Sequence, residues 1–419
     1  MPEKKFKVYG YRWVVLGLFF IINLIMQANW ITFAPITGDA ATFYGVSELS
    51  IAVLSMIFMI VYLAVSIPAS YVIDTYGIRI GIGIGAALTG VFGLLRGFSG
   101  SSYAMVFAAQ FGLAIAQPFI LNAVTALAAR WFPLGERATA AGISVLAQFI
   151  GIILAMALTP ILFTKLGMSP MLMGYGVISA AGAVLFLIFM REKPPTLPGL
   201  AGSDARHGVF EGLKHIFKQR DMIILIVIFF IGLGMFNAVT TWIEQILAPR
   251  GFTIEQAGAA GAIMLVGGIV GAIVFPILSD VFRKRKLFIV ITVILTIPGL
   301  VGLTYATSFV ILLISSFALG FFFMAGGPIG YQYSAELTHP APEATSQGLL
   351  VLAGQISGII FIFGMDALRT ENRAMTPFML VFVGLLVINV ILSLMLRESK
   401  MMALHEKEEA LVHGKSARK

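Results

Sequence analysis

The sequence predicts an all-α membrane protein of twelve transmembrane helices in two six-helix halves. Three observations carry that reading. Apolar stretches long enough to cross a bilayer recur twelve times along the 419 residues. Hydrophobic residues make up 59% and charged residues only 11%, with a mean hydropathy of +0.96. No water-soluble chain of this size could bury so much apolar surface. Basic residues collect in alternate loops, as the orientation of a polytopic protein requires.

A helix crossing about 30 Å of hydrocarbon needs roughly 20 apolar residues. Such runs fall at 12–36, 50–73, 80–98, 103–129, 138–163 and 169–190 in the first half, and at 222–247, 256–279, 287–306, 309–334, 344–366 and 375–396 in the second. Lys4, Lys5 and Lys7 lead directly into the first run with no small-residue cleavage site behind it, so a retained first helix is expected. An even number of spans puts both termini on one side. That side holds 23 of the 28 Lys and Arg residues, which predicts cytoplasmic termini in a plasma (inner) membrane. The formal charge of +8 is therefore read as orientation signal, not as a nucleic-acid surface.

The halves are assigned to 1–191 and 222–396. They are joined by a linker at 192–221 and followed by a tail at 397–419. The linker opens with Pro194, Pro195 and Pro198. It closes with Val209, Leu213, Ile216 and Phe217 on one helical face, which predicts a short helix lying on the membrane surface. The absence of cysteine excludes disulfides, thiolate metal sites and cysteine nucleophiles. No catalytic set and no cofactor or metal site is expected. The expected partners are a small-molecule substrate, the bilayer and, in one reading, a coupled proton, with the chain monomeric.

Two loop patterns repeat between the halves. Ser70 precedes Asp74 by four residues, with Gly77 and Arg79 after it. Pro276 precedes Asp280 by four, with Arg283 after it. Arg130, Pro133 and Glu136 join the fourth and fifth runs as Glu336, Pro340 and Glu343 join the tenth and eleventh. Acids at helix starts are favoured by the macrodipole, and nearby Arg or Lys can pair with them. Asp74, Arg79, Arg130 and Glu136, with Asp280, Arg283, Glu336 and Glu343, are expected to form two charge clusters that latch the outward-open state.

The first pattern resembles the loop signature of the major facilitator superfamily, with Ser70 and Pro276 in place of its Gly and Ile78 in place of its first Arg. Further stretches are similar to the feline leukaemia virus subgroup C receptor-like family: Gln27-Ala-Asn-Trp30, Phe43-Tyr-Gly-Val-Ser, Ala116-Gln117-Pro, Glu336-Leu-Thr-His-Pro, Glu343-Ala-Thr-Ser-Gln-Gly348 and Gln355-Ile-Ser-Gly. The resemblance implies a major facilitator fold. It also implies an alternating-access carrier of a choline-like amine, with Trp30, Gln117 and Gln355 lining the site. The family's aromatic position in the seventh span is Asn237 here, and Trp242 follows five residues on. In this superfamily spans one, four, seven and ten line the cavity.

Polar residues in hydrocarbon are costly and usually face a cavity. Asn23, Gln27, Asn29, Gln117, Asn122, Asn237, Thr240, Thr241, Glu244 and Gln355 fit that description. Trp30 offers a π face to a quaternary ammonium group. Glu244, two turns beyond Asn237, could recruit a cation, carry a proton, or pair with Arg250. Asp366 is expected to pair with Arg369, and Arg96 to snorkel to the interface. The rival function is a proton-coupled carrier of a neutral or anionic organic metabolite, or multidrug efflux. The Arg130-Trp-Phe-Pro stretch also resembles organic anion carriers.

Overall fold

A computed structural model describes residues 8–133, 136–196, 216–282, 284–338, 343–370, 372 and 374–398. Twelve helices among them are long and apolar enough to cross a membrane. The chain divides into two compact units. The first comprises Met1–Asp204 with Thr240–Ala262, the second Ala205–Val239 with Ile263–Lys419. Most of the expected surface helix lies outside the described residues. Ile216 at its end is fully buried in the core of the second unit.

In the first unit α1 (Tyr11–Ile31) stops short, and a 3₁₀ turn (Ala34–Ile36) leads into α2 (Thr37–Tyr44). Pro35 lies in that turn. It has no N–H to give the carbonyl four residues back, which removes one helical hydrogen bond where α1 ends. Gly45 closes α2 at φ 65°, returning its N–H to Ala41 and Thr42. Then follow α3 (Glu48–Tyr76), α4 (Ile78–Gly97), α5 (Tyr103–Leu121), α6 (Val124–Trp131), α7 (Arg137–Leu166) and α8 (Met168–Phe189). The fourth run, expected as one helix to 129, breaks between α5 and α6 at Asn122. The side-chain amide of Asn122 is committed to α3 at that point. It donates to Ser66 and Ser70, and its carbonyl accepts from the Tyr62 hydroxyl at 2.9 Å. Ser70, which stands where the loop signature has Gly, thus serves as an acceptor.

The packing partners are α4 with α8 and α5, α1 with α7 and α8, and α3 with α5. Small residues let α4 and α8 touch. A Cβ on Gly93 would lie 2.7 Å from Ser179 Cβ, and one on Gly176 would lie 2.6 Å from the Gly93 carbonyl oxygen. In a bilayer this close backbone approach replaces the hydrophobic drive.

The second unit holds α9 (Arg220–Thr241) up to Val239, most of α11 (Ile254–Phe282), α12 (Arg285–Tyr305), α13 (Phe309–Thr338), α14 (Glu343–Ala367) and α15 (Thr376–Met395). The seventh run, expected to reach 247, bends at Trp242. The short α10 (Ile243–Leu247) follows and packs in the first unit against the 3₁₀ turn and α2. Asp366 and Arg369 form the expected pair at 3.3 Å.

Candidate solute site and charged helix ends

The broken first span organises the polar interior of the first unit. Trp30 is one residue from the end of α1 and buried. Its indole N–H donates to the Ser55 carbonyl at 3.1 Å, and the Ser55 hydroxyl donates back to the Trp30 carbonyl at 3.4 Å. One turn earlier Gln27 is buried with its Oε1 unpartnered. Asn23 Nδ2 donates to the Ser144 carbonyl at 2.8 Å, and its Oδ1 is likewise unpartnered. Gln117 on α5 is buried. In the second unit Asn237 on α9 donates to the Gly354 carbonyl on α14 at 3.4 Å. Trp242, in the first unit, is fully enclosed.

Arg96 departs from the sequence expectation. Instead of snorkelling to an interface it is completely buried. Its Nη1 donates to the Asn29 carbonyl at 3.0 Å and to Gln110 Oε1 at 3.2 Å, and its Nη2 donates to Asn29 Oδ1. The guanidinium lies 5.7 Å from the ring centroids of Phe33 and Tyr175. Dipoles and aromatic faces offset part of the cost of burying the charge, while its Nε has no hydrogen-bond partner.

Glu244 also takes an unforeseen partner. Its Oε2 accepts the Gly38 N–H at 2.7 Å, in the first turn of α2. A Cβ on Gly38 would sit 2.9 Å from Glu244 Oε1, so glycine permits the approach. Arg250 instead donates to the Ile246 carbonyl at 3.2 Å and lies against Phe252. Glu244 sits just past the span that ends at Thr241. Burial pushes its carboxyl up to about 8, opposed by the Gly38 and Thr37 N–H groups and reinforced by Asp39 and Glu48.

At the basic ends the described pairings bring in residues outside the expected clusters. Arg130 pairs with Glu192, and Arg12 pairs with Glu136 at 3.0 Å. Glu192 also accepts the backbone N–H groups of Ile78 at 3.2 Å and Arg79 at 2.7 Å, capping α4. Gly77, at φ 100°, makes the turn, and a Cβ there would collide with Glu192. The side chain of Arg79 itself is exposed. In the second unit Arg285 meets Glu336 at 3.2 Å, and Glu398 accepts the N–H groups of Arg285 at 2.7 Å and Lys286 at 3.2 Å. Arg283 and the side chains of Asp74, Asp280 and Glu343 lie outside the described residues. Glu192 and Glu398 escaped the sequence reading. The signal for them was the Arg-Glu pair that ends both the sixth and the twelfth spans, Arg191-Glu192 and Arg397-Glu398.

The Major Facilitator Superfamily pattern matches residues 19–362. The chain belongs to that superfamily. Solute carrier family 49 member A3 of Danio rerio is 30% identical over 89% of this chain and 81% of its own length. The Choline/ethanolamine transporter FLVCR1 of Felis catus is 29% identical over 86% and 68%, and FLVCR2 of Homo sapiens 26% over 90% and 76%. These relatives make the chain an FLVCR-like member of the superfamily. Among solved structures, a bacterial homologue of the human lysosomal transporter Spinster, inward-facing and unoccupied, superposes with a TM-score of 0.73 at 15% identity, covering 92% of this chain and 97% of that one. A D-xylose–proton symporter gives 0.73 at 15% identity over 93% and 99%. At that identity the likeness shows the fold alone. The chain is a multi-pass membrane transporter of this superfamily, and the family and its neighbours are transporters, not enzymes.

Proposed function

We propose that this transporter carries a small organic amine of the choline type by alternating access. Trp30, Gln117 and Gln355 contribute to its site, together with Asn237, Trp242 and Glu244. The observation that carries the reading is Trp30. It is an aromatic face in a broken membrane helix, with its indole N–H already bonded, in a chain whose relatives bear the name choline/ethanolamine transporter. A cation–π contact there is worth about 0.5–2 kcal/mol. Uptake of labelled choline and ethanolamine into proteoliposomes tests it, with a small carboxylate as control. Choline should be taken up and Trp30→Ala should weaken its binding about tenfold. Carboxylate uptake without amine uptake rejects the reading.

A second reading, proton-coupled transport of a neutral or anionic metabolite, is favoured by the buried carboxylate of Glu244. There an imposed pH gradient should drive uptake, and Glu244→Gln should abolish it while sparing exchange of solute for solute.

In either reading the charged helix ends act as the latch of the outward-open state, with both termini cytoplasmic in the plasma membrane and the protein monomeric. Asp74→Asn and Asp280→Asn should then shift spin-label distances across the basic ends toward inward-open. Distance distributions identical to the parent's reject the latch.

A further inference from the structure

We infer that Arg96 is a positioning residue, fixing the Trp30 ring for the solute by gripping the peptide unit in front of it. The inference rests on the reading that Trp30 lines the solute site.

The Asn29 carbonyl belongs to the peptide bond that joins Asn29 to Trp30. It lies in the last turn of α1, where the helix ends at Ile31 and carbonyls begin to lose their partners from the next turn. Three side chains converge on this one oxygen: Arg96 Nη1 at 3.0 Å, Gln110 Nε2 at 3.2 Å and Thr32 Oγ1 at 3.3 Å. Arg96 also holds the Asn29 side chain through Nη2, and Asn29 Nδ2 donates to Ser179 Oγ at 2.9 Å and to the Ile25 carbonyl at 2.8 Å. The backbone before Trp30 is thus tied to α4 and α5, and the Asn29 side chain to α8. The indole and carbonyl of Trp30 are tied separately to Ser55 on α3.

A fully buried guanidinium is a costly way to fill space between helices. A Leu or Met would pack there without the desolvation. The planar fork does what neither could: it meets a carbonyl and a side-chain amide of one residue simultaneously, while Phe33 and Tyr175 flank its faces. Phe33 is itself the N-cap of the 3₁₀ turn that follows the broken helix. Arg96 therefore fastens both sides of the break, with Trp30 between them. A ring fixed in advance loses little freedom when solute arrives, so the restraint appears as affinity.

The test needs a signal from Trp30 that does not depend on solute. The chain has 4 Trp residues, so uniform 5-fluorotryptophan labelling gives a short ¹⁹F spectrum, with Trp30→Phe assigning the line. Arg96→Gln should shift or broaden the Trp30 line and leave those of Trp13 and Trp131 in place. Gln110→Met, which removes one donor to the same carbonyl, should do so more weakly. If Arg96→Gln does not fold, Arg96→Lys keeps the charge without the fork and should still move the line. In choline titrations Arg96→Gln should cost about tenfold in affinity. The same change made in Trp30→Ala should cost no more than about twofold. An unmoved Trp30 line, or an equal loss in both backgrounds, overturns the inference. If the line moves but the parent protein binds no choline, the positioning role stands and the amine reading falls.

Discussion

The basic ends of the two units solve one problem with different residues. In the first unit Glu192 caps α4 and shares its charge with Arg130 from α6. In the second, Glu398 caps α12 from the equivalent place after the last span, and Arg285 at the start of that helix pairs with Glu336. The end of the fourth span carries Arg, and the end of the tenth carries Glu. What repeats is a carboxylate on a helix N-terminus, where unsatisfied N–H groups and the macrodipole attract negative charge. The cation beside it is free to change element. The two pairs also differ in depth: side-chain exposure is 6% and 8% for Arg285 and Glu336, against 30% and 35% for Arg130 and Glu192.

Depth should set the cost of breaking each pair. Glu336→Gln removes the anion from a buried guanidinium that also donates to Ser279. It should cost about 3–5 kcal/mol, seen as a large fall in the thermal midpoint of detergent-purified protein. Glu192→Gln removes the anion from both Arg130 and the start of α4, in a half-exposed setting. A loss of about 1–2 kcal/mol is expected. Equal falls for the two variants would show that depth is not what separates the units.

Glu244 sharpens the comparison, because it is a third carboxylate on a helix N-terminus, here α2, with acidic neighbours in Asp39 and Glu48. Its carboxyl is raised from 4.5 to about 8. The folded protein therefore holds a proton that the unfolded chain has released, and stability should decline as pH rises from about 5 to about 8, then level off. Glu244→Gln should flatten that decline, as thermal melts across the range would show. A slope unchanged by the substitution would mean that Glu244 is ionised throughout.

The smallest effect is expected at Arg12 and Glu136. Glu136 is 42% exposed, so Arg12→Ala should cost under about 1 kcal/mol and the loss should shrink in high salt.

Glu192 shows where legibility stopped. The repeated loops around Asp74 and Asp280 drew attention to acids inside the motifs. The acids that cap α4 and α12 lie more than a hundred residues from the helix starts they serve. Arg96 shows the same limit from the other side. A lone cation near a span end reads as interfacial by composition, and only its contact with Asn29, 67 residues away in sequence, makes burial tolerable.

The sequence by itself determined the twelve spans, the basic side and the family, because each depends on local quantities: the length of an apolar run, the sign of a loop, the spacing within a motif. It did not mark the break in the first span, which reads as one apolar run over 12–36. The tertiary structure alone decided which partner each interior polar group takes. Glu244 found the Gly38 N–H, 206 residues away, instead of nearby Arg250. A carboxylate or guanidinium removed from water accepts whatever dipole or charge the packing of distant helices brings within reach. Hydropathy and periodicity carry no record of that distance.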